Sequence, residues 1–317
     1  MRKALFLSLL LATPAFGETI YVTNEKGASI SAIDGDSLKV VETWTVGKRP
    51  RGLLLSRDGR QLYVCASDEN AVQVIDRATG KLVADLPSGE DPEQFALTPD
   101  GTMLFAANER DAAITAIDVP GKRVAFQIAV GVEPEGMAVS PDGKTVVSTS
   151  ETDNQVHWID IASQKDIGQT EVDLRPRHAE FTADGKHLWV SAEIGGTLAI
   201  IDTQSRAVVE TLHFAPPGVA ASKVMPVGIR FTPDGKTAIV ALGRSNSLAF
   251  VDVATAKVTG YLPVGQRVWH LAIDKDGRLA FSANGLTNDL SVIDIAARKV
   301  SATVHVGAAP WGVIIAP

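Results

Sequence analysis

Seven short segments of this chain set charged, aromatic and imidazole side chains at one repeated spacing. Six are marked by prolines, Pro50, Pro92, Pro134, Pro176, Pro226 and Pro310, and in the seventh Val268 stands where the proline would be. Flanking these positions are Arg49 and Arg51, Asp91 and Glu93, Glu133 and Glu135, Arg175 and Arg177, Met225 and Val227, Arg267 and Trp269, and Ala309 and Trp311. The next position reads Gly52, Gln94, Gly136, His178, Gly228, His270 and Gly312. Glycine is the rule there, and the polar departures from it mark where function can hide.

Arginine carries a planar fork that captures a carboxylate through two parallel hydrogen bonds. Tryptophan offers a flat face to a ring. Brought together, Arg49, Arg51, Arg175, Arg177 and Arg267 with Trp269 and Trp311 would hold a planar polyanion, with His178 and His270 hydrogen-bonding from deeper in. A second chemistry is metal or haem-iron ligation by His178 and His270, helped by Glu93 or Glu135. Two histidines on non-adjacent repeats are weak evidence for it. The bland alternative is a ring in which these charges simply neutralise one another. His157, His187, His213 and His305 fall on strands or turns without evident partners and read as ordinary; Trp44, Trp158 and Trp189 read as packing between repeats. The sequence contains no G-x-S-x-G elbow, H-E-x-x-H, C-x-x-C-H or dinucleotide fingerprint.

The spacing that aligns these residues is a 42-residue period. An Asp ends an Ile/Val-rich run at Asp34, Asp76, Asp118, Asp160, Asp202, Asp252 and Asp294. Asp-Gly turns recur at Asp58, Asp100, Asp142, Asp184, Asp234 and Asp276. Every step is 42 except one of 50 in each series and one doubled step where Val268 intervenes. Within one period, EGMAVS is an apolar run, PDGK a turn and TVVSTS a second run. QVHWID then alternates as a strand does, and a fourth run reaches Val172. Four short strands in 42 residues are the size of one propeller blade. The chain is therefore expected to be all-β, a seven-bladed β-propeller of four-stranded blades.

Seven Asp-ended strands but six Asp-Gly turns locate the cut in the circle. PWGVIIAP matches the first strand of a blade and TIYVTN a second strand. The C-terminal strand is expected to complete the first blade as its innermost strand, which removes free sheet edges. The extra residues of the long step lie between His213 and Met225 (FAPPGVAASKV), a neutral surface insertion or a binding loop. On this fold the flanking residues gather at the mouth of the central channel, while the Asp of each third strand caps a turn on the opposite face.

Residues 1–17, MRKALFLSLLLATPAFG, read as a secretory signal peptide: a basic start, a short apolar core, and Ala15 and Gly17 at the cleavage site. Residues 18–317 are then the propeller domain, and its 300 residues are the length that seven such repeats require. A periplasmic location is expected. Without Arg2 and Lys3 the net charge falls from −7 to −9, which argues against nucleic acid and anionic membrane as broad partners. Cys65 has no partner for a disulfide.

YVTN at Tyr21–Asn24, the turns Thr98–Gly101, Ser140–Gly143 and Thr232–Gly235, the strand ends and the P-x-G starts resemble the YVTN β-propeller repeat family over the whole mature chain. Length and leader are most similar to periplasmic propellers associated with pyrroloquinoline-quinone (PQQ)-dependent alcohol catabolism. That resemblance implies a non-catalytic periplasmic binding or scaffold propeller. PQQ is then the candidate cofactor, and a quinoprotein dehydrogenase or another periplasmic protein the partner. Related seven-bladed propellers include lactonases and non-cofactor subunits of quinoprotein dehydrogenases. The alternative is therefore a lactonase-like hydrolase using channel carboxylates and histidines, or such a subunit, because fold does not carry function with it.

Overall fold

A computed structural model describes residues 17–317, so the expected leader lies outside the described residues apart from Gly17. Twenty-eight strands form seven four-stranded antiparallel sheets. The fourth shows the pattern that all share. Its innermost strand, Pro134–Val139, pairs with Thr145–Ser150, that with Gln155–Asp160, and that with the outer strand Lys165–Glu171. The turn between the first two is held by Asp142, whose Oδ1 accepts from Ser140 Oγ at 2.7 Å and the Lys144 amide at 3.1 Å. Gly143 supplies the left-handed φ of 71° that closes it.

The core lies between blades. Val147, Val156 and Trp158 of one sheet pack against Ala179, Leu188, Val190 and Ile201 of the next, all buried. Each such side chain contributes roughly 1.5–3 kcal/mol when fully buried. Period-2 alternation lets a strand face both neighbours at once, which is why the two middle strands are apolar on both faces. Trp158 and Trp189 sit in these seams; Trp44 is half-buried against Tyr21 and the neighbouring blade.

The ring closes as the repeats require. Pro310–Ala316 is the innermost strand of the sheet whose other members are Thr19–Asn24, Ser29–Asp34 and Lys39–Thr45, with Ile315 opposite Ile20 and Val313 opposite Val22.

Two local devices aim side chains at the channel. In six of the seven innermost strands the pairing slips just after the first residue, for example between Pro50 and Leu53 and between Val268 and Leu271. Such a bulge frees the residues after the proline from the ladder and turns them to the axis. The residue before the proline adopts left-handed φ at Arg49, Asp91, Glu133, Arg175, Arg267 and Ala309. For non-glycine residues this conformation costs roughly 1–2 kcal/mol, and it is offset by new bonds. The amides of Asp91, Arg175, Arg267 and Ala309 donate to Asn70, Asn154, Asn246 and Asn288 at 2.8–2.9 Å.

The Asp at each third-strand end does accept from the following turn, as Asp160 Oδ1 does from the Ser163 amide at 2.7 Å. These turns are exposed, so the caps are surface features rather than buried ones. His157 corrects the expectation of a partnerless histidine. Its Nδ1 lies 2.7 Å from Asp166 and its Nε2 accepts from the Gly131 amide at 2.9 Å, which makes it a structural strut between strands. The insertion after His213 carries one turn of 3-10 helix, Ala221–Lys223, and shortens the innermost strand of the sixth blade to Ile229–Phe231.

Candidate functional site

Three layers line the channel. The top layer comes from the residue after each proline position: Arg51, Glu93, Glu135, Arg177, Val227, Trp269 and Trp311. The second is Gly52, Gln94, Gly136, His178, Gly228, His270 and Gly312. Glycine is needed there because the strands crowd the axis. A Cβ on Gly136 would lie 2.9 Å from the His178 Cα, and one on Gly228 2.9 Å from the His270 Cα. Below come Glu180 and Arg230 among aliphatic neighbours.

The structure does bring the expected mouth residues together, but as an ion-pair network rather than an open arginine cup. Arg51 pairs with Glu93 and, at 3.0 Å, with Glu25. Arg49 pairs with Asp91, with Glu93 at 3.0 Å and with Asp68 at 2.9 Å. Arg177 lies 2.8 Å from Glu135 and also pairs with Glu151. Arg175 reaches Glu151 at 2.7 Å, and Arg267 reaches Glu193 at 2.6 Å while its guanidinium stacks 3.7 Å above Trp269. The five arginines offered to a planar polyanion are thus already paired with carboxylates, which is the bland alternative realised. A ligand carboxylate would have to displace one of the protein's own.

Four carboxylates of the mouth, of which Glu25, Glu151 and Glu193 pair with these arginines, were not singled out from the sequence. Glu25, Glu109, Glu151 and Glu193 follow the second strand of their blades, and Ser67, Gly243 and Gly285 take the same place elsewhere. The 42-residue period marks them as clearly as it marks the proline flanks. Where Gly243 and Gly285 omit the carboxylate, the mouth opens into a cavity of about 430 Å³ over Trp269. Its walls carry Lys26, Arg51, Arg175, Arg177, Arg244 and Arg267 against Glu25 and Glu193. No carboxylate among the described residues lies within ion-pairing distance of Lys26 or Arg244.

The carboxyls titrate differently. Burial works to raise Glu93, but Arg51 and Arg49 outweigh it and hold Glu93 below the ordinary range. Glu135 is fully buried with Glu151 beside it, and together these push it well above the ordinary range despite Arg177. Arg177 keeps its charge through Glu151 and Glu193. Glu109 is pushed up to about 7 by partial burial, then by the charge of Glu93 and the hydrogen bond between the two side chains. A half-buried carboxyl poised near neutrality is suited to take and return protons.

The oxygens of Asp91, Glu93 and Glu109 lie within 4.8 Å of one another, the spacing of a metal site. Arg49, Arg51 and Arg110 already face Asp91 and Glu93, so the cationic place is taken by the protein. His178 and His270 lie side by side with ring centroids 5.3 Å apart and planes tilted by 59°, and no carboxylate joins them in a three-ligand cluster among the described residues. Burial lowers the proton affinity of both. For His270 the nearby His178, Arg230, Arg177 and Arg51 lower it further, a field that repels a metal ion too.

Trp311 lies beside Trp269, with ring centroids 6.3 Å apart. It is buried beneath Arg51, packed 4.2 Å from His270, and lines the lower channel.

A model of the family described as lactonase, 7-bladed β-propeller, matches residues 136–303, somewhat more than half of the chain. No curated protein matches the sequence. Among solved structures, a functionally unknown protein from Desulfotomaculum acetoxidans is 18% identical with a TM-score of 0.81, covering 94% of this chain and 98% of its own. A candidate 6-phosphogluconolactonase from Bacteroides fragilis is 19% identical with a TM-score of 0.80, over 96% and 99%. Hydrazine synthase from Kuenenia stuttgartiensis is 21% identical with a TM-score of 0.74, over 82% and 87%. At these identities the structural likenesses speak to the fold alone, whereas the family model reaches the sequence itself. By that match the chain belongs to the seven-bladed β-propeller lactonase family.

Proposed function

We propose that the protein hydrolyses a lactone that carries an anionic group, at the charged mouth of the channel. The observation that carries this reading is Glu109, a carboxyl titrating at about 7 against Glu93 and under the influence of the Arg51 guanidinium. As a carboxylate, Glu109 takes a proton from water, and the resulting hydroxide adds to the ring carbonyl. The carbonyl electrons move to oxygen, where Arg51 stabilises the oxyanion. Collapse re-forms the carbonyl and breaks the ring C–O bond, and the proton on Glu109 passes to the departing alkoxide. The product is an open-chain hydroxy acid. The cationic walls of the adjoining cavity, Lys26 and Arg244 in particular, suit a substrate bearing a carboxylate or phosphate.

The lactonase family match and the neighbours named as candidate 6-phosphogluconolactonases support this reading over the non-catalytic accessory of quinoprotein oxidation. The accessory role would require Arg177 or Arg51 to exchange an internal carboxylate for one of PQQ. The leader expected at residues 1–17 supports a periplasmic location on this proposal.

The test is acid release in a pH-stat from neutral and anionic lactones, glucono-δ-lactone beside 6-phosphoglucono-δ-lactone, by wild type and Glu109→Gln. Turnover that prefers the anionic lactone and falls about 100-fold or more in the variant is expected for loss of a general base. Turnover that the variant retains would remove Glu109 from the chemistry. No turnover of any lactone, with saturable PQQ binding instead, would return the accessory reading.

A further inference from the structure

The one 50-residue step of the period adds chain at residues 214–224, and the structure holds that insertion in a defined shape. Phe214, Pro216 and Val224 are buried, and the Ala215 amide donates to the Tyr261 hydroxyl at 2.7 Å. Pro217 and Gly218 are the central residues of a type II turn. Gly218 has a φ of 75°, and the Val219 amide donates to the Pro216 carbonyl oxygen at 3.2 Å. Held this way, Val219 and Lys223 wall a cavity of about 430 Å³ whose other side is Arg244, Gln266, Arg267 and Leu286. Arg244, Arg267 and Leu286 also line the mouth cavity, so the two adjoin along that wall. Insertions in repeat proteins gather on one face, often the binding face.

No carboxylate lines this second cavity. Lys223 and Arg244 are exposed, and among the described residues neither has an acidic group within ion-pairing distance. Arg267 differs from them. Glu193 lies 2.6 Å from it and its guanidinium covers Trp269 at 3.7 Å, so it contributes a surface and not a free charge. Gly243 leaves Arg267 its place, because a Cβ there would lie 2.8 Å from Arg267 Nη1. The side-chain amide of Gln266 makes no hydrogen bond among the described residues and offers neutral donors and an acceptor. Where the two cavities meet, Leu286 is 62% exposed, more than any other large aliphatic side chain described. A leucine left open between two cavities is a surface that a bound molecule would cover. Two unpaired cations, a free amide and an apolar ledge are together the complement of a hydroxylated organic acid.

We propose that the insertion cavity is a second subsite of the mouth, which holds an anionic unit joined to the lactone. The inference rests on the hydrolase reading for what fills the mouth cavity, while the anion site rests on Lys223 and Arg244 alone. The lactone ring lies over Trp269, and the linkage crosses Arg267 and Leu286. The carboxylate or phosphate of the second unit then lies between Lys223 and Arg244. Ligand pockets occupy roughly 300–1,000 Å³, and each of the two cavities reaches that range by itself. A single ring would leave one of them empty. The substrate class is therefore a two-unit acidic lactone.

Stable sugars serve as probes, so binding is read without turnover. Digalacturonate and trehalose 6-phosphate carry two units and an anionic group, galacturonate carries one unit, and cellobiose carries two units without charge. By calorimetry at low salt, one of the two-unit acids should bind about tenfold or more tightly than galacturonate and than cellobiose, as expected when a charge-assisted contact is added. Whichever of them binds more tightly identifies the anion as carboxylate or phosphate. Lys223→Gln alters an exposed side chain and should narrow that margin about fivefold or more. Raising the salt to about 0.5 M should narrow it in wild type as well. Equal affinity for one-unit and two-unit acids, an unaltered margin in Lys223→Gln, or cellobiose binding as tightly as the acids would each overturn the proposal. The two readings fail separately. Lactone turnover without the margin removes the subsite and leaves the hydrolase, whereas the margin without turnover of any lactone keeps the acid subsite and removes the hydrolase.

Discussion

Arg177 Nη2 lies 2.8 Å from Glu135 Oε1, and neither residue is more than 3% exposed, so a full guanidinium sits in the interior of the ring. Its charge is held by Glu151, which follows the second strand of the neighbouring blade, and by Glu193, which follows the second strand of its own. Such an arrangement makes the network a clamp between two adjacent blades. Removing one member leaves uncompensated charge in a desolvated place, which is worse than removing the whole set.

Arg177→Ala should therefore destabilise the fold by about 3–5 kcal/mol, and Arg177→Met combined with Glu151→Gln should recover part of that loss. Urea denaturation of the two variants beside wild type measures it. A single variant as stable as wild type would show that the pair is wetter than its burial implies.

Glu109 predicts a pH effect of definite sign. Its folded value of about 7 stands above the ordinary 4.5 of a glutamate, so the folded state holds the proton more tightly than the unfolded chain. That contribution is fully present below the unfolded value and is lost as pH rises from there through about 7. Stability should decline over this window in wild type, and Glu109→Gln should flatten the decline. Lactone turnover should rise through the same window because the base must be ionised. Thermal midpoints and initial rates taken at matched pH values test both limbs.

Deleting Trp311–Pro317 should abolish the cooperative melt. The segment contributes most of the innermost strand of the first blade, and Trp311, Gly312, Val313 and Ala316 are buried within it. Differential scanning calorimetry reads the outcome, and a native-like transition in the truncated chain would contradict the closure.

Gly228→Ala should cost about 1–3 kcal/mol from overpacking, because the new Cβ meets the Trp269 carbonyl and the His270 Cα, both at 2.9 Å and both backbone. Gly185→Ala differs in kind: its Cβ meets nothing closer than 3.6 Å, and the penalty comes from a φ of 69°. Chemical denaturation should show both to be destabilising. Only the first should also disturb the His270 ring resonances, since only there does the strain fall on the channel wall.

What the sequence determined by itself was whatever short-range chemistry repeats. Asp58–Gly59 and its equivalents write the turns, the Ile/Val runs write the strands, and seven against six of them fix where the circle is cut, because turn geometry and strand alternation depend on neighbours a few residues apart. The glycine rule at Gly52, Gly136, Gly228 and Gly312 was legible for the same reason. The period also carried the signal of Glu25, Glu109, Glu151 and Glu193, one step after the second strand of their blades. Only the tertiary structure decided how these charges are spent. Arg51 meets Glu93 across 42 residues, Arg177 meets Glu151 across 26, and Arg267 meets Glu193 across 74. Each contact joins different blades, and its length is set by how closely the ring packs at its axis. The same crowding buries Trp311 below Arg51 and against Trp269 and His270, and lifts Glu109 toward neutrality through Glu93. Pairing and desolvation are properties of the closed ring, and no stretch of the chain contains them.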